Sequence, residues 1–307
     1  MSDKNAKRES ARQALFSGKL DIEGMDDVLS LYRDLFELTE KKAPPGKDQR
    51  ELTDDEAHMR LAEGFALIDP GDLLPGPDEM ATMVGEVVQI LARHSEDADA
   101  LVEDMADLTV EPARLGDLTR TFLGEGEEAL RRELLLIKGA NPEVVMFVLF
   151  NALKGPFLEA AARCDAIDTS AWEKGYCPVC GGEPAVAYMM GDGGKRHLIC
   201  FRCETHWPYR RLTCPYCGHE NPKESGYLYS EDTDYRTLSA SVCNECQAYI
   251  KEWRVEGDEL GDIHPEMEDL KTPGFDRAVE EEGFSRGAPN IYGVWIGTVA
   301  DEAEDTD

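Results

Sequence analysis

The sequence predicts an α+β multidomain protein: a mainly helical N-terminal bundle followed by two tandem four-cysteine ribbons, small β domains of the rubredoxin or zinc-ribbon kind. Three observations carry that reading. Apolar residues recur at helical spacing up to about Cys164, eight of the nine cysteines form four C-x-x-C pairs between Cys177 and Cys246, and β-prone runs flank turn residues between the pairs. At 307 residues the chain can bury its own cores and divide into two or more domains. The expected parts are a helical domain over 1–165, a first ribbon over 172–212, a second over 213–255, and a C-terminal segment over 256–307.

In the helical half, Met25, Val28, Leu29, Tyr32, Leu35 and Phe36 mark one helix, closed by Pro44, Pro45 and Gly46. A second is expected from Asp54 through Phe65 and Ile68 to the breakers Asp69, Pro70 and Gly71, with further helices at Asp78–His94, Asp97–Leu108 and Arg114–Leu136. Asn141 and Pro142 supply an N-cap and a first turn to Glu143–Arg163, whose centre VVMFVLFNAL is apolar on nearly all sides. That pattern belongs to the buried middle of a bundle. Its seven uninterrupted apolar residues before Asn151 are expected to be too few to cross a bilayer.

The cysteine pairs are Cys177–Cys180, Cys200–Cys203, Cys214–Cys217 and Cys243–Cys246, with Cys164 left over. In a reducing compartment such knuckles read as tetrahedral metal sites rather than a disulfide frame. Two of them begin Cys-Pro-x-Cys-Gly, at Cys177 and Cys214. For both sulfurs to reach one ion at about 2.3 Å the chain must turn tightly, which Pro pre-sets and Gly permits. Sequential pairing gives two sets, Cys177, Cys180, Cys200, Cys203 and then Cys214, Cys217, Cys243, Cys246; crossed pairing is the less simple alternative. Hairpin signals lie between the knuckles, around Asp192-Gly193-Gly194 and within ESGYLYSEDTDYRTLSASVC. Two cations are implied, iron or zinc. A closed four-cysteine site has no open position, so a structural ion is the plainer reading and redox iron of rubredoxin type the alternative.

Charge separates the halves. Lys and Arg number 32 against 63 Asp and Glu, a net −31, yet Trp172–Val255 carries 10 Lys and Arg against 11 Asp and Glu and holds 12 of the 24 aromatic residues. The acidic balance argues against a general nucleic-acid binder, whose affinity rests on clustered cations. An aromatic, near-neutral segment resembles a partner-facing surface. Tyr209, Arg210 and Arg211, on the link between ribbons, are the expected contacts, whereas Trp172, Tyr188, Trp207 and Trp253 are expected to cover the ribbon cores. His197, His206 and His219 lie near knuckles already supplied with four sulfurs each and are expected to be satisfied ribbon residues. Cys164 reads as a buried inert thiol. The polar start, Met1–Arg12, is not followed by an apolar stretch, which points to a cytoplasmic protein without a membrane span, and the tail Asp301–Asp307 is expected to be disordered. No phosphate-binding loop, nucleophile elbow or zinc-protease motif is present, so no catalytic residue is assigned and no enzyme activity is expected.

The segments GYCPVCGGEPAVAY, HLICFRCETHWPYRRLTCPYCG, CNECQAYIKEW, DIHPEMEDL and GFSRGAPNIYG follow one another from Gly175 to Tyr292. This ordered set resembles the formate dehydrogenase accessory protein family, FdhE, most specifically in Cys200–Trp207 and in Tyr249 and Lys251 after the last knuckle. The resemblance implies a cytoplasmic maturation factor, a chaperone-like protein that binds the catalytic subunit of a formate dehydrogenase before export, with iron at the cysteine motifs. Its partner would carry a twin-arginine leader, and the acidic helical half would attract so basic a segment. The strip Lys271–Phe275 departs from the longer apolar stretch expected there and leaves open how the C-terminal segment packs. Two other readings stand beside it: a rubredoxin-type electron carrier for maturation, and a zinc-ribbon nucleic-acid binder using Lys195, Arg196, Arg202, Arg210 and Arg211.

Overall fold

The computed structural model describes residues 12–16, 25–40, 52–95, 111–137, 141–191, 194–230, 237–255 and 264–288. The chain divides into two compact units. A helical unit takes Met1–Thr169 with Pro178–Gly181 and Arg202–Thr205, and a sheet unit takes Ser170–Cys177, Gly182–Phe201 and His206–Asp307.

The helical unit contains α1 (Asp26–Glu40), α2 (Asp54–Glu63), a 3-10 turn (Pro70–Leu73), α3 (Pro77–Arg93), α4 (Pro112–Gly124), α5 (Glu127–Leu134) and α6 (Pro142–Arg163). α1 buries Leu29, Tyr32, Leu35 and Phe36, the stripe its spacing predicts. α6 is the hub, packed against α1, α3 and α5 and buried on all sides from Val145 to Leu153. Its cap forms as expected, the Asn141 side chain accepting from the backbone N–H of Glu143 at 3.0 Å.

Three expectations change here. α6 is 22 residues long and, by length and composition alone, apolar enough to cross a membrane; 78% of its most apolar stretch is buried inside the protein. Counting only as far as Asn151 understated it, because the polar residues do not interrupt the helix. Asn151 donates its amide to the Phe147 carbonyl at 2.9 Å, and Lys154 pairs with Glu204 at 3.0 Å. α2 stops at Glu63, where Gly64 takes the left-handed cap at φ 84° and Phe65 donates its N–H to the Arg60 carbonyl at 2.8 Å; beyond it Leu67 and Ile68 donate to the carbonyls of Pro178 and Val179 at 2.8 Å. The helix expected over Arg114–Leu136 breaks in two around Gly126, where φ is 88°. The helix expected at Asp97–Leu108 and the tail Asp301–Asp307 lie outside the described residues.

The sheet unit holds β1 (Pro184–Met190), β2 (Lys195–Cys200), β3 (His206–Pro208), β4 (Ser225–Tyr229), β5 (Leu238–Cys243), β6 (Ala248–Arg254), α7 (Pro265–Lys271), α8 (Pro273–Glu281) and β7 (Ser285–Arg286). Each ribbon is a three-stranded antiparallel meander whose second strand ends on a cysteine: Cys200 opposite Pro184 and Cys243 opposite Ser225. The chain path is therefore duplicated. The two ribbons nevertheless share one sheet of order β3-β2-β1-β6-β5-β4, because β1 and β6 pair in parallel with Val186 beside Lys251 and Tyr188 beside Trp253. The boundary expected at 213 separates two copies of a path within a continuous ladder. The four ribbon-core aromatics Trp172, Tyr188, Trp207 and Trp253 are all buried.

The C-terminal segment packs through charge where an apolar run was expected. Lys251, fully buried on β6, lies 2.6 Å from Asp269 and 2.8 Å from Asp276, and also donates to the Thr272 hydroxyl at 2.9 Å. Arg286 reaches Asp269 at 2.8 Å and the Ala185 carbonyl at 3.1 Å, while the Tyr249 hydroxyl donates to Asp276 at 2.7 Å. Two cations thus face two carboxylates, so the buried cluster is neutral and its donors are engaged. Burial alone would raise the Asp269 carboxyl, but Arg286 and Lys251 hold it below the ordinary carboxylate value.

Candidate metal centres

Within each cluster one sulfur from each of four cysteines lies within 4.8 Å of the others: Cys177, Cys180, Cys200 and Cys203 in the first, Cys214, Cys217, Cys243 and Cys246 in the second. The sequential grouping is the one the fold makes. The sulfurs of Cys214 and Cys246, and those of Cys217 and Cys243, stand 3.7 Å apart. That is far beyond a disulfide bond and close to the edge of about 3.8 Å that a tetrahedron with 2.3 Å metal–sulfur bonds requires. None of the nine cysteines, all among the described residues, is in a disulfide; Cys164 caps the C-terminus of α6, buried and outside both clusters.

The backbone explains the knuckles. Cys177 donates its N–H to the Gly182 carbonyl at 2.8 Å, and Cys214 makes the same closure to His219 at 2.9 Å. The residue after the second cysteine of every knuckle is left-handed: Gly181 at φ 73°, Glu204 at 57°, Gly218 at 72° and Gln247 at 56°. Sequence reasoning found the two glycines and missed Glu204 and Gln247; setting the four knuckles side by side would have exposed the shared fifth position. A left-handed side-chain residue costs on the order of 1–2 kcal/mol, so something must hold it there. For Glu204 the holder is Lys154 on α6, a buried ion pair.

The sulfurs are met by backbone dipoles. N–H groups of Cys217 and Tyr216 point at the Cys214 sulfur, those of Cys246 and Glu245 at Cys243, and that of Ala248 at Cys246. The Thr205 hydroxyl lies 3.2 Å from the Cys203 sulfur. Burial still pushes the Cys214 thiol up to about 11, so a bound cation is what would keep it ionised. The donor set is all soft sulfur without a water position, which fits zinc or iron and supplies a closed, fold-stabilising centre.

The clusters differ in exposure. All four cysteines of the first are buried, whereas in the second Cys217 and Cys246 are exposed. Of the expected partner contacts, Tyr209 turns inward. It is buried, donates its hydroxyl to the Cys214 carbonyl at 3.2 Å, and burial raises that hydroxyl to about 12. Arg210 and Arg211 stay at the surface, Arg210 paired with Glu173 and Glu220. His206 lies 3.3 Å from the Tyr188 hydroxyl, and His197 stacks on the Tyr188 ring at 5.1 Å. Neither histidine is in a ligand set. Of the basic residues of the nucleic-acid reading, Arg196 is buried against Glu252 at 2.7 Å and Arg202 is buried over the rings of Phe122 and Phe157, while Lys195, Arg210 and Arg211 are exposed.

Fold and site together define a helical unit followed by a duplicated tetracysteine ribbon. Residues 176–211 match the family model "FdhE, central domain" and residues 212–292 match "FdhE, C-terminal domain", so the resemblance to the FdhE family is shown. Protein FdhE homologs of Aquifex aeolicus and Pseudomonas aeruginosa are 32% identical over 161 residues and 31% identical over 192. These matches cover 52% and 55% of this chain and 55% and 58% of the relatives. Protein FdhE of Escherichia coli is 34% identical over 125 residues, 39% of this chain and 38% of its own length. The chain thus spans about half the length of the first curated relatives it matches. The crystal structure of the FdhE protein from Pseudomonas aeruginosa shares the fold, with a TM-score of 0.62, 20% identity and 94% of both chains covered.

Proposed function

We propose that this protein is a formate dehydrogenase accessory protein: a cytoplasmic binding and maturation factor, without turnover of its own, that engages the catalytic subunit of a formate dehydrogenase before export. One observation carries the reading, the duplicated tetracysteine ribbon within residues that match FdhE domains. In this reading Cys177, Cys180, Cys200 and Cys203 hold one cation and Cys214, Cys217, Cys243 and Cys246 hold the other. The ions fix the knuckles, and the knuckles fix the ends of β2 and β5, so metal binding and folding of the sheet unit are one event.

The −31 charge, nearly all outside residues 172–255, supports recruitment of a basic leader by long-range attraction. Affinity-tagged chain expressed beside an untagged catalytic subunit tests both parts. Co-purification that weakens steadily from low to high salt is expected; no retained subunit would remove the accessory role, and salt-independent retention would remove the electrostatic part.

An iron electron carrier is the second reading, favoured by the exposure of residues Cys217 and Cys246. Visible absorption that bleaches reversibly with reductant would support it, whereas a colourless, zinc-loaded protein would end it.

A further inference from the structure

Exposure divides the two centres chemically. Around the second, Cys217 and Gly218 are exposed, as is the whole run Asn244–Gln247, while Cys214 and Cys243 are buried. Backbone anchoring does not separate them: around the second centre Cys214 donates its N–H to His219, Tyr216 its hydroxyl to the Pro184 carbonyl at 3.0 Å and Asn244 its N–H to the Glu224 carbonyl at 2.7 Å, while the Gln247 carbonyl accepts from Ser285 at 2.9 Å. Around the first centre the knuckle residues are engaged as well. Pro178 and Val179 accept from Leu67 and Ile68, Glu204 is paired with Lys154, and Thr205 lies on the Cys203 sulfur.

We infer that the second centre is an exchange site, at which an external thiolate can reach the cation and take it past Cys217 and Cys246, while the first centre holds its cation permanently. This division rests on both clusters being occupied, as proposed above. The step is ligand substitution. A bond forms between the cation and the incoming sulfur as the bond to Cys217 or Cys246 breaks; the departing thiolate takes a proton from solvent, and no electron moves. At the second centre a departing sulfur enters water, where its charge is solvated. At the first it would stay in a buried site, out of reach of water, so departure is opposed. A thiolate is the matching competitor because the site selects soft-ligand cations.

The exchange is read on the full-length, reduced, zinc-saturated chain mixed with excess 2-mercaptoethanol and the chromophoric chelator 4-(2-pyridylazo)resorcinol. Two zinc ions per chain should leave in two phases, the first at least about tenfold faster. Iodoacetamide added at the end of the fast phase should mark Cys217 and Cys246, located by peptide mass, and spare Cys180 and Cys203. The Cys217→Ser variant should keep only the slow ion. Two ions released at one rate, or labelling that begins at Cys180 and Cys203, would overturn the division and leave both centres standing. Fewer than two ions in the saturated chain would overturn the occupancy reading and the division with it.

Discussion

In the first ribbon the left-handed residue after the last knuckle is Glu204, buried and paired with Lys154; in the second it is Gln247, exposed and donating its amide to the Asn244 carbonyl at 2.6 Å. Backbone path, strand order and knuckle closure are otherwise repeated. The C-x-x-C motif therefore dictates the local turn in both copies, while distant elements decide whether that turn is buried or exposed. The same substitution made at matched positions should give different answers in the two ribbons.

The largest contrast is expected at the ligands. Cys180→Ser and Cys217→Ser should each release one metal per chain, but Cys180→Ser should cost more, several kcal/mol, because a buried centre collapses. Metal analysis with chemical denaturation measures both; equal losses of stability would erase the contrast. Next comes the helper of the first ribbon. Glu204→Gly relieves backbone strain yet removes the carboxylate that faces the buried Lys154, so a loss of about 3–5 kcal/mol is expected.

A comparable loss should follow Lys251→Met, which removes one of the two cations set against Asp269 and Asp276. This cluster also has a pH signature. The folded Asp269 carboxyl lies below its ordinary value of 3.8, so its contribution is fully present above that value and is lost as pH falls through the lower folded one. Denaturation of wild type and Asp269→Asn at stepped acid pH should show a steeper loss in wild type below about pH 4.

Gly287→Ala is the next in size. A Cβ there would overlap the Tyr216 ring in the knuckle of the second ribbon, and about 1–3 kcal/mol should be lost. Gln247→Gly is the smallest and should be neutral to slightly stabilising, within about 1 kcal/mol, since relief of the left-handed strain is offset by added freedom in the unfolded chain. A loss at Gln247 as large as that at Glu204 would show that the two copies are held alike after all.

Much of this was legible locally. The cysteine spacing, the Asn141–Pro142 cap and the α1 stripe all act within a few residues, so composition and period reveal them. The parallel pairing of β1 with β6 was not legible, because it joins residues some 65 apart and leaves no periodic trace. Lys251, Asp269, Asp276 and Arg286 look like surface charges until the fold buries them together. Tyr209 looked like a contact residue for the same reason: its hydroxyl finds an internal acceptor only once the second knuckle closes. The end of α2 was misplaced because the apolar residues to Ile68 were followed past Gly64, whose left-handed cap closes the helix.

The most direct measurement is elemental analysis of the reduced chain, purified without oxygen, together with near-ultraviolet circular dichroism before and after a chelator strips it. Two iron or zinc ions per chain are expected, and the fixed aromatic signal of the sheet unit should vanish as they leave. A reduced, metal-free chain that keeps that signal would contradict the account.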